Sequence, residues 1–287
     1  MRALFMQDFV YHRASSLDEA RRLGAEEGAA FLAGGQTLLR DLKHNRRTPT
    51  SLVKISGVLP REIDLRDGGI TIGAGATHAE VAVSEVVRER LPALAGLAEH
   101  LGDPAVRHRA TLGGAVVANE VAGDYPAACL ALGATVHTTG RDLAAAEFFA
   151  GPGRTALEPG EIVTAVTFPV PAKAAYVKFL NPAARYAMAG VFVALAADGR
   201  PRLAVTAARA DGAFRWREAE AALAATFVAD ALRDLRLPLK GLAEDLFADA
   251  AYRGRLAEVL ARRVVALASG PAPGVAVFSH GSPLRSG

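Results

Sequence analysis

Ala33-Gly34-Gly35-Gln36-Thr37 follows an apolar run over 29–32, and Thr111-Leu112-Gly113-Gly114-Ala115 brings a second glycine pair farther along the chain. Each pair sits where a strand is expected to run into a turn. A glycine pair lets the backbone turn with successive N–H groups pointing into one concavity, and without a Cβ a phosphate can come close to those donors. Two such loops could hold the two phosphates of a dinucleotide from opposite sides. The plain alternative for each is a tight turn between elements. Neither is a Rossmann fingerprint, because G-x-G-x-x-G with an acidic residue about twenty positions later is absent.

The chain around these loops has the composition of an ordinary globular protein. Its 287 residues are 51% hydrophobic and 22% charged, and 33 basic against 30 acidic residues leave a net charge of +3. That balance argues against a nucleic-acid or anionic-membrane partner. Length allows two or three compact domains. The single cysteine, Cys129, excludes an internal disulfide and any iron–sulfur cluster or cysteine-rich zinc site held by this chain alone. Its neighbours Ala127, Ala128, Leu130 and Ala131 read as a buried helix face and make it a core thiol. With no apolar run of about eighteen residues and no secretory pattern at the N-terminus, the sequence reads as cytoplasmic and without a membrane span.

Residues 9–56 read as an α/β unit. Ser16 and Glu19 have capping-box spacing and open a helix; a strand over 30–33, a short helix over 37–44 and a strand over 52–55 follow. Ile63-Asp64-Leu65 and Ile70-Thr71-Ile72, joined by Asp67-Gly68-Gly69, form a hairpin. Thr77 and Glu80 repeat the capping-box spacing, and Pro92 starts an amphipathic helix. A helix over 125–132 and strands over 134–138 and 162–168 complete this part. Pro169 and Pro171 mark the best boundary in the chain. Beyond it come three strands (175–180, 191–196, 203–208), helices over 218–225, 227–235 and 256–268, and a tail rich in Gly, Pro and Ser. The domains expected are 1–56, 57–170 and 174–270, with 271–287 a loosely ordered tail. Scattered histidines at metal-unlike spacings predict no metal site, and no nucleophile elbow or paired-acid pattern predicts hydrolysis.

The order of these pieces resembles the FAD-binding medium subunit of molybdenum-containing hydroxylases, the carbon monoxide dehydrogenase, xanthine dehydrogenase and aromatic-acyl-CoA reductase types. The resemblance covers about residues 9–263. It rests on Ala33 to Leu39, which fit A-G-G-x-[ST]-L-[LI], on Thr71-Ile72-Gly73-Ala74 and Thr77-His78-Ala79-Glu80, and on Leu101-Gly102-Asp103-Pro104-Ala105-Val106-Arg107. Arg109, Thr111 to Gly114, Asp124 and Pro126 continue it. The chain departs from the family pattern at His108 and Ala110, which flank Arg109, and at Ala115, Val121 and Arg185.

The resemblance implies an α+β fold: a two-lobed FAD-binding domain of the PCMH (vanillyl-alcohol-oxidase) type, then a small C-terminal domain of antiparallel sheet plus helices. It implies FAD held by Ala33, Gly34, Gly35, Gln36, Thr37, Leu38, Thr77, Thr111, Gly113, Gly114, Asp124 and Lys178. Backbone donors of the first loop, the Thr37 hydroxyl and the following helix dipole would meet the diphosphate. Asp124 is either a nucleotide contact or a helix N-cap; Lys178 either lies near the flavin ring or is an exposed strand lysine. The implied role is electron transfer, with no catalytic residue and no metal on this chain. The implied partners are an iron–sulfur small subunit and a molybdenum-cofactor large subunit, in a heterotrimer that can be doubled, and an external electron acceptor. A free-standing flavoenzyme of the same fold and a flavin-free structural subunit are the alternatives.

Overall fold

The structure, a computed structural model, describes residues 8–66, 68–181, 186–270 and 274–278. Three sheets organise it. The first is parallel and three-stranded, with β1 (Val10–Arg13) and β2 (Ala29–Leu32) flanking a central β3 (Ser51–Lys54). Helix α1 (Leu17–Gly24) links β1 to β2, and its N-cap Ser16 accepts from the Glu19 N–H, as the capping spacing requires. Helix α2 (Leu38–Lys43) leads toward β3 and buries Leu38 and Leu42 against Ala30 and Leu52.

The second sheet is antiparallel, built from β4 (Ile63–Arg66), β5 (Gly69–Gly73), β6 (Thr135–Thr138), β7 (Asp142–Ala144) and β8 (Val163–Pro169) in the order β4-β5-β8-β6-β7. Between β5 and β6 run α3 (His78–Val83), α4 (Glu85–Arg90), α5 (Pro92–Glu99), α6 (Pro104–Arg107), α7 (Leu112–Ala118) and α8 (Asp124–Leu132); α9 (Ala145–Phe148) follows β7. Thr77 opens α3 through a complete capping box with Glu80, and Pro92 occupies the first turn of α5. Every residue of α8 is buried. A helix apolar on all sides belongs inside the protein, and the Cys129 thiol is correspondingly enclosed, its pKa pushed well up by burial.

The third sheet has the order β12-β11-β10-β9-β13, from β9 (Lys173–Leu180), β10 (Ala187–Leu195), β11 (Pro201–Thr206), β12 (Phe214–Arg215) and β13 (Val275–Phe278). Alternation along β9 splits its side chains between two cores. Ala174 and Tyr176 join the core shared with α8, whereas Ala175, Val177 and Phe179 join the core under α11 (Ala250–Ser269). Helix α10 (Arg217–Ala225) packs on the same second core.

Four expectations change. The second glycine pair lies within the first turn of α7, not at a strand end. Of the helix expected over 227–235, only the single 3-10 turn Ala229–Leu232 forms. Strand β13 pairs parallel to β9, so 275–278 of the segment expected to be loose is a sheet edge; positions 271–273 and 279–287 lie outside the described residues. Strand β1 carries too short an apolar signal to be read from sequence and forms because β3 offers it a partner.

Candidate functional site: a cleft walled by both glycine loops

A cavity of about 1160 Å³ opens where the β2–α2 loop, the helices over the second sheet and strand β9 meet. It slightly exceeds the roughly 300–1,000 Å³ of drug-sized ligand sites, as a dinucleotide requires. Of the residues singled out from sequence, Ala33, Gly34, Gly35, Gln36, Thr37, Leu38, Thr111, Gly113, Gly114, Asp124 and Lys178 line it. Thr77 does not: it is buried, its hydroxyl is committed to the Glu80 capping box, and it bridges to Thr111.

The first loop is an open cradle. Among the described residues the N–H groups of Gly34, Gly35, Gln36 and Thr37 meet no protein acceptor, and the Thr37 hydroxyl caps nothing. Gly35 sits at φ 76°, in the left-handed region that glycine tolerates. Gly34 is required for contact between the two walls, since a Cβ there would collide with the Arg109 carbonyl and come within 2.9 Å of Ala110 Cα. Helix α2 has only six residues, so the loop donors, more than a helix dipole, make this wall attractive to an anion.

The second pair is built differently. Gly113 N–H donates to the Ala74 carbonyl at 2.9 Å, and Leu112 N–H to Ala76 at 2.8 Å. Gly114 N–H donates to the Thr111 hydroxyl at 3.1 Å, and Ala115 N–H to the Thr111 carbonyl at 3.0 Å. The expected second set of phosphate donors is therefore already satisfied within the protein. Gly113 serves packing instead, because its Cβ would lie 2.6 Å from that of Ala74.

Asp124 and Lys178 meet each other. Lys178 Nζ donates to Asp124 Oδ2 at 2.7 Å and to the His100 carbonyl at 2.9 Å, and the Tyr176 hydroxyl donates to Asp124 Oδ1. Tyr176 and Lys178, two apart on β9, share the face turned to α8. Gly190 on β10 leaves room for them, since a Cβ there would stand 2.5 Å from the Tyr176 oxygen. The N-cap alternative for Asp124 falls, because Gly123 is the N-cap and Asp124 the first helical residue. The exposed-lysine alternative for Lys178 falls too, at 1% exposure. Both face the cavity as one internally neutralised pair.

Sequence reasoning missed several lining residues. His78 and Tyr125 pack together in the wall, and Arg40 on α2 bonds both Glu120 and the Tyr186 hydroxyl, joining three separate chain segments at the cleft. No local spacing marks such a junction. Of the departures from the family pattern, Ala115 lines the cavity, Val121 offers its carbonyl to the Ala207 N–H at 3.0 Å, and Arg185 lies outside the described residues. Among the described residues no group of three or more His, Cys, Asp or Glu could hold a metal, and no helix is long and apolar enough to cross a membrane.

An α+β cleft with an unsatisfied amide cradle on one wall and a buried ion pair on another defines a binding fold for a phosphate-bearing cofactor. Residues 6–171 match the FAD binding domain in molybdopterin dehydrogenase. The carbon monoxide dehydrogenase medium chain of Hydrogenophaga pseudoflava is 31% identical over 275 residues, covering 90% of this chain and 96% of that one. The glyceraldehyde dehydrogenase medium chain of Sulfolobus acidocaldarius is 31% identical over 204 residues, covering 68% and 73%. In the solved structure of reconstituted CO dehydrogenase from Oligotropha carboxidovorans, one chain superposes with a TM-score of 0.84 at 30% identity, covering 92% of this chain and 98% of that one. The chain belongs to the FAD-binding medium-subunit family of the molybdenum hydroxylases.

Proposed function

We propose that this chain is the electron-transfer subunit of a molybdenum-containing hydroxylase or dehydrogenase complex, holding FAD between the iron–sulfur clusters of a partner subunit and an external acceptor. The observation that carries this reading is the run of four unpartnered N–H groups from Gly34 to Thr37 on the cavity wall. The four residues are half-buried and their N–H groups are free among the described residues, and a diphosphate is the group such a concavity suits. Bound FAD supplies one- and two-electron chemistry, and the protein supplies position and electrostatics. The first loop and the Thr37 hydroxyl hold the diphosphate, and Leu38 anchors the loop in the core of the parallel sheet. Asp124 and Lys178 present a net-neutral polar surface whose orientation Tyr176 and the His100 carbonyl hold. The medium-chain relatives support partners of the iron–sulfur and molybdenum-cofactor kinds, and the lone Cys129 requires that any cluster arrive on another chain. Residues 1–56, 57–170 and 174–270 serve as the two FAD lobes and the C-terminal domain.

Flavin content tests this directly. The purified chain mixed with FAD and passed through gel filtration is expected to retain about one FAD, bleached by dithionite and lost in Gly34→Ala. The complex isolated from its host is expected to carry iron and molybdenum. A native complex with no flavin, or with no iron- or molybdenum-containing partner, would overturn the proposal.

A further inference from the structure

The charged side chains that line the cavity are, with one exception, already committed to partners. Asp124 pairs with Lys178, Arg40 with Glu120, and Asp41 with both Arg40 and Arg46. Glu161 pairs with Arg141, and the Asp103 carboxylate accepts from the Val106 N–H at the start of α6. Arg47 is the exception: among the described residues its guanidinium has neither an ion pair nor a hydrogen bond. The turn that carries it is fixed by the fold. Asn45 adopts φ 52°, the Arg46 N–H donates to the Asp41 carbonyl at 2.9 Å, and Pro49 is buried. Lys43 and Arg46 stand exposed on the same turn, and the carboxylate paired there, Asp41, is shared with Arg40.

Arg47 is set apart from the amide cradle. Strands β2 and β3 are parallel, so the six-residue α2 carries the chain back from the glycine loop at the end of β2 toward the start of β3. Arg47 follows α2, and its backbone is separated from the loop by roughly 9 Å of helix. Oxidised FAD carries its charge in the diphosphate, the group that the donors of 34–37 suit. An uncommitted cation farther along the same cavity points to a second anion. For a chain that exchanges electrons with FAD, that anion is a redox partner.

We propose that Arg47, backed by Lys43 and Arg46, is the recognition residue for a small anionic electron carrier that exchanges electrons with FAD in the same cavity. The inference rests on the FAD reading of the cavity. The positive rim raises the local concentration of the anion, an effect that salt screens. With ferricyanide as the probe, two ions each take one electron from one reduced FAD. The products are two ferrocyanide ions and oxidised FAD, and the flavin's protons pass to water.

The test is stopped-flow reoxidation of the full chain, loaded with FAD and stoichiometrically reduced by dithionite, for the wild type, Arg47→Gln and Arg47→Lys. Trianionic ferricyanide is compared with the trication hexaammineruthenium(III), and FAD affinity and melting temperature are recorded for each variant. At an ionic strength of about 10 mM, where the Debye length is about 30 Å, Arg47→Gln is expected to slow ferricyanide roughly three- to tenfold. Hexaammineruthenium(III) is expected to react at the wild-type rate or faster, and the ferricyanide deficit to shrink at about 0.5 M salt. Arg47→Lys, which keeps the charge, is expected to recover at least half of the wild-type rate. FAD affinity should stay within about twofold of wild type, less than one hydrogen bond. Melting should stay within about 2 °C, as befits an exposed substitution. An unchanged ferricyanide rate, or an equal slowing of both oxidants, overturns this inference alone. A roughly tenfold loss of FAD affinity in Arg47→Gln also overturns it and assigns the guanidinium to the cofactor's own diphosphate. A wild type that binds no FAD overturns the reading of the cavity and this inference with it.

Discussion

Replacing Lys178 with methionine would leave the Asp124 carboxylate inside the protein with the Tyr176 hydroxyl as its remaining donor. The two charged groups are 2.7 Å apart with side chains 2% and 4% exposed, so little solvent screens the loss. Removing one partner of a buried pair costs roughly 3–5 kcal/mol. The upper end is capped because an unpaired buried carboxylate escapes by taking up a proton. For an ordinary carboxyl that step costs about 4 kcal/mol at pH 7. At roughly 2–4 °C per kcal/mol for chains of this size, Lys178→Met should melt about 6–16 °C below wild type. The only tryptophan, Trp216, is buried in the core under α11 and reports unfolding by fluorescence. A further outcome separates this account from simple loss of lysine packing. The double variant Asp124→Asn/Lys178→Met, with no charge left to strand and an amide still able to accept from Tyr176, should recover at least half the loss. A deficit below about 1 kcal/mol, the worth of an exposed pair, or a double variant no better than the single, would refute the reasoning.

The His78 pKa, lowered from 6.5 to about 4 by burial and then by Arg107, makes stability pH-dependent. A depressed folded-state pKa means the contribution is fully present above 6.5 and is lost as pH falls toward 4, a span of about 3 kcal/mol. Urea titrations of His78→Leu should show a flatter acid limb in that window. Gly113→Ala puts a Cβ 2.6 Å from that of Ala74 and 2.9 Å from its carbonyl oxygen; calorimetry should show an overpacking loss of about 1–3 kcal/mol. Asn119 sits at φ 40° and donates to the Gly151 and Arg154 carbonyls at 2.7 and 3.0 Å. Asn119→Ala should lose about 2–4 kcal/mol from two hydrogen bonds and left-handed strain. In the same chemical denaturation Asn119→Gly should lose less, because glycine keeps the backbone conformation.

Features closed within a few residues are legible in the amino-acid sequence. The N-cap at Ser16, the capping box at Thr77 and Pro92 in the first turn of α5 form as the spacing predicts, because the partners of each lie within about one helical turn. The first glycine loop belongs with these, since its open N–H groups follow from a strand end, a glycine pair and a helix start in immediate succession. The second pair has the same residues and the opposite use. Its donors are taken by Ala74 and Thr111, with Ala74 brought alongside by the Thr77–Thr111 bridge, and nothing within the pair records that meeting. Asp124 and Lys178 stand out as candidates in the sequence, but each only against its own helix or strand; the packing of α8 on the third sheet makes them partners across 54 positions. Arg40 with Glu120 and Tyr186, His78 with Tyr125, and β13 with β9 are likewise settled by tertiary contact. Sequence by itself determined the local backbone and the family it serves. Which polar groups are spent inside the protein and which face the cavity was decided by long-range packing, because a donor is free only once every distant acceptor has found its place.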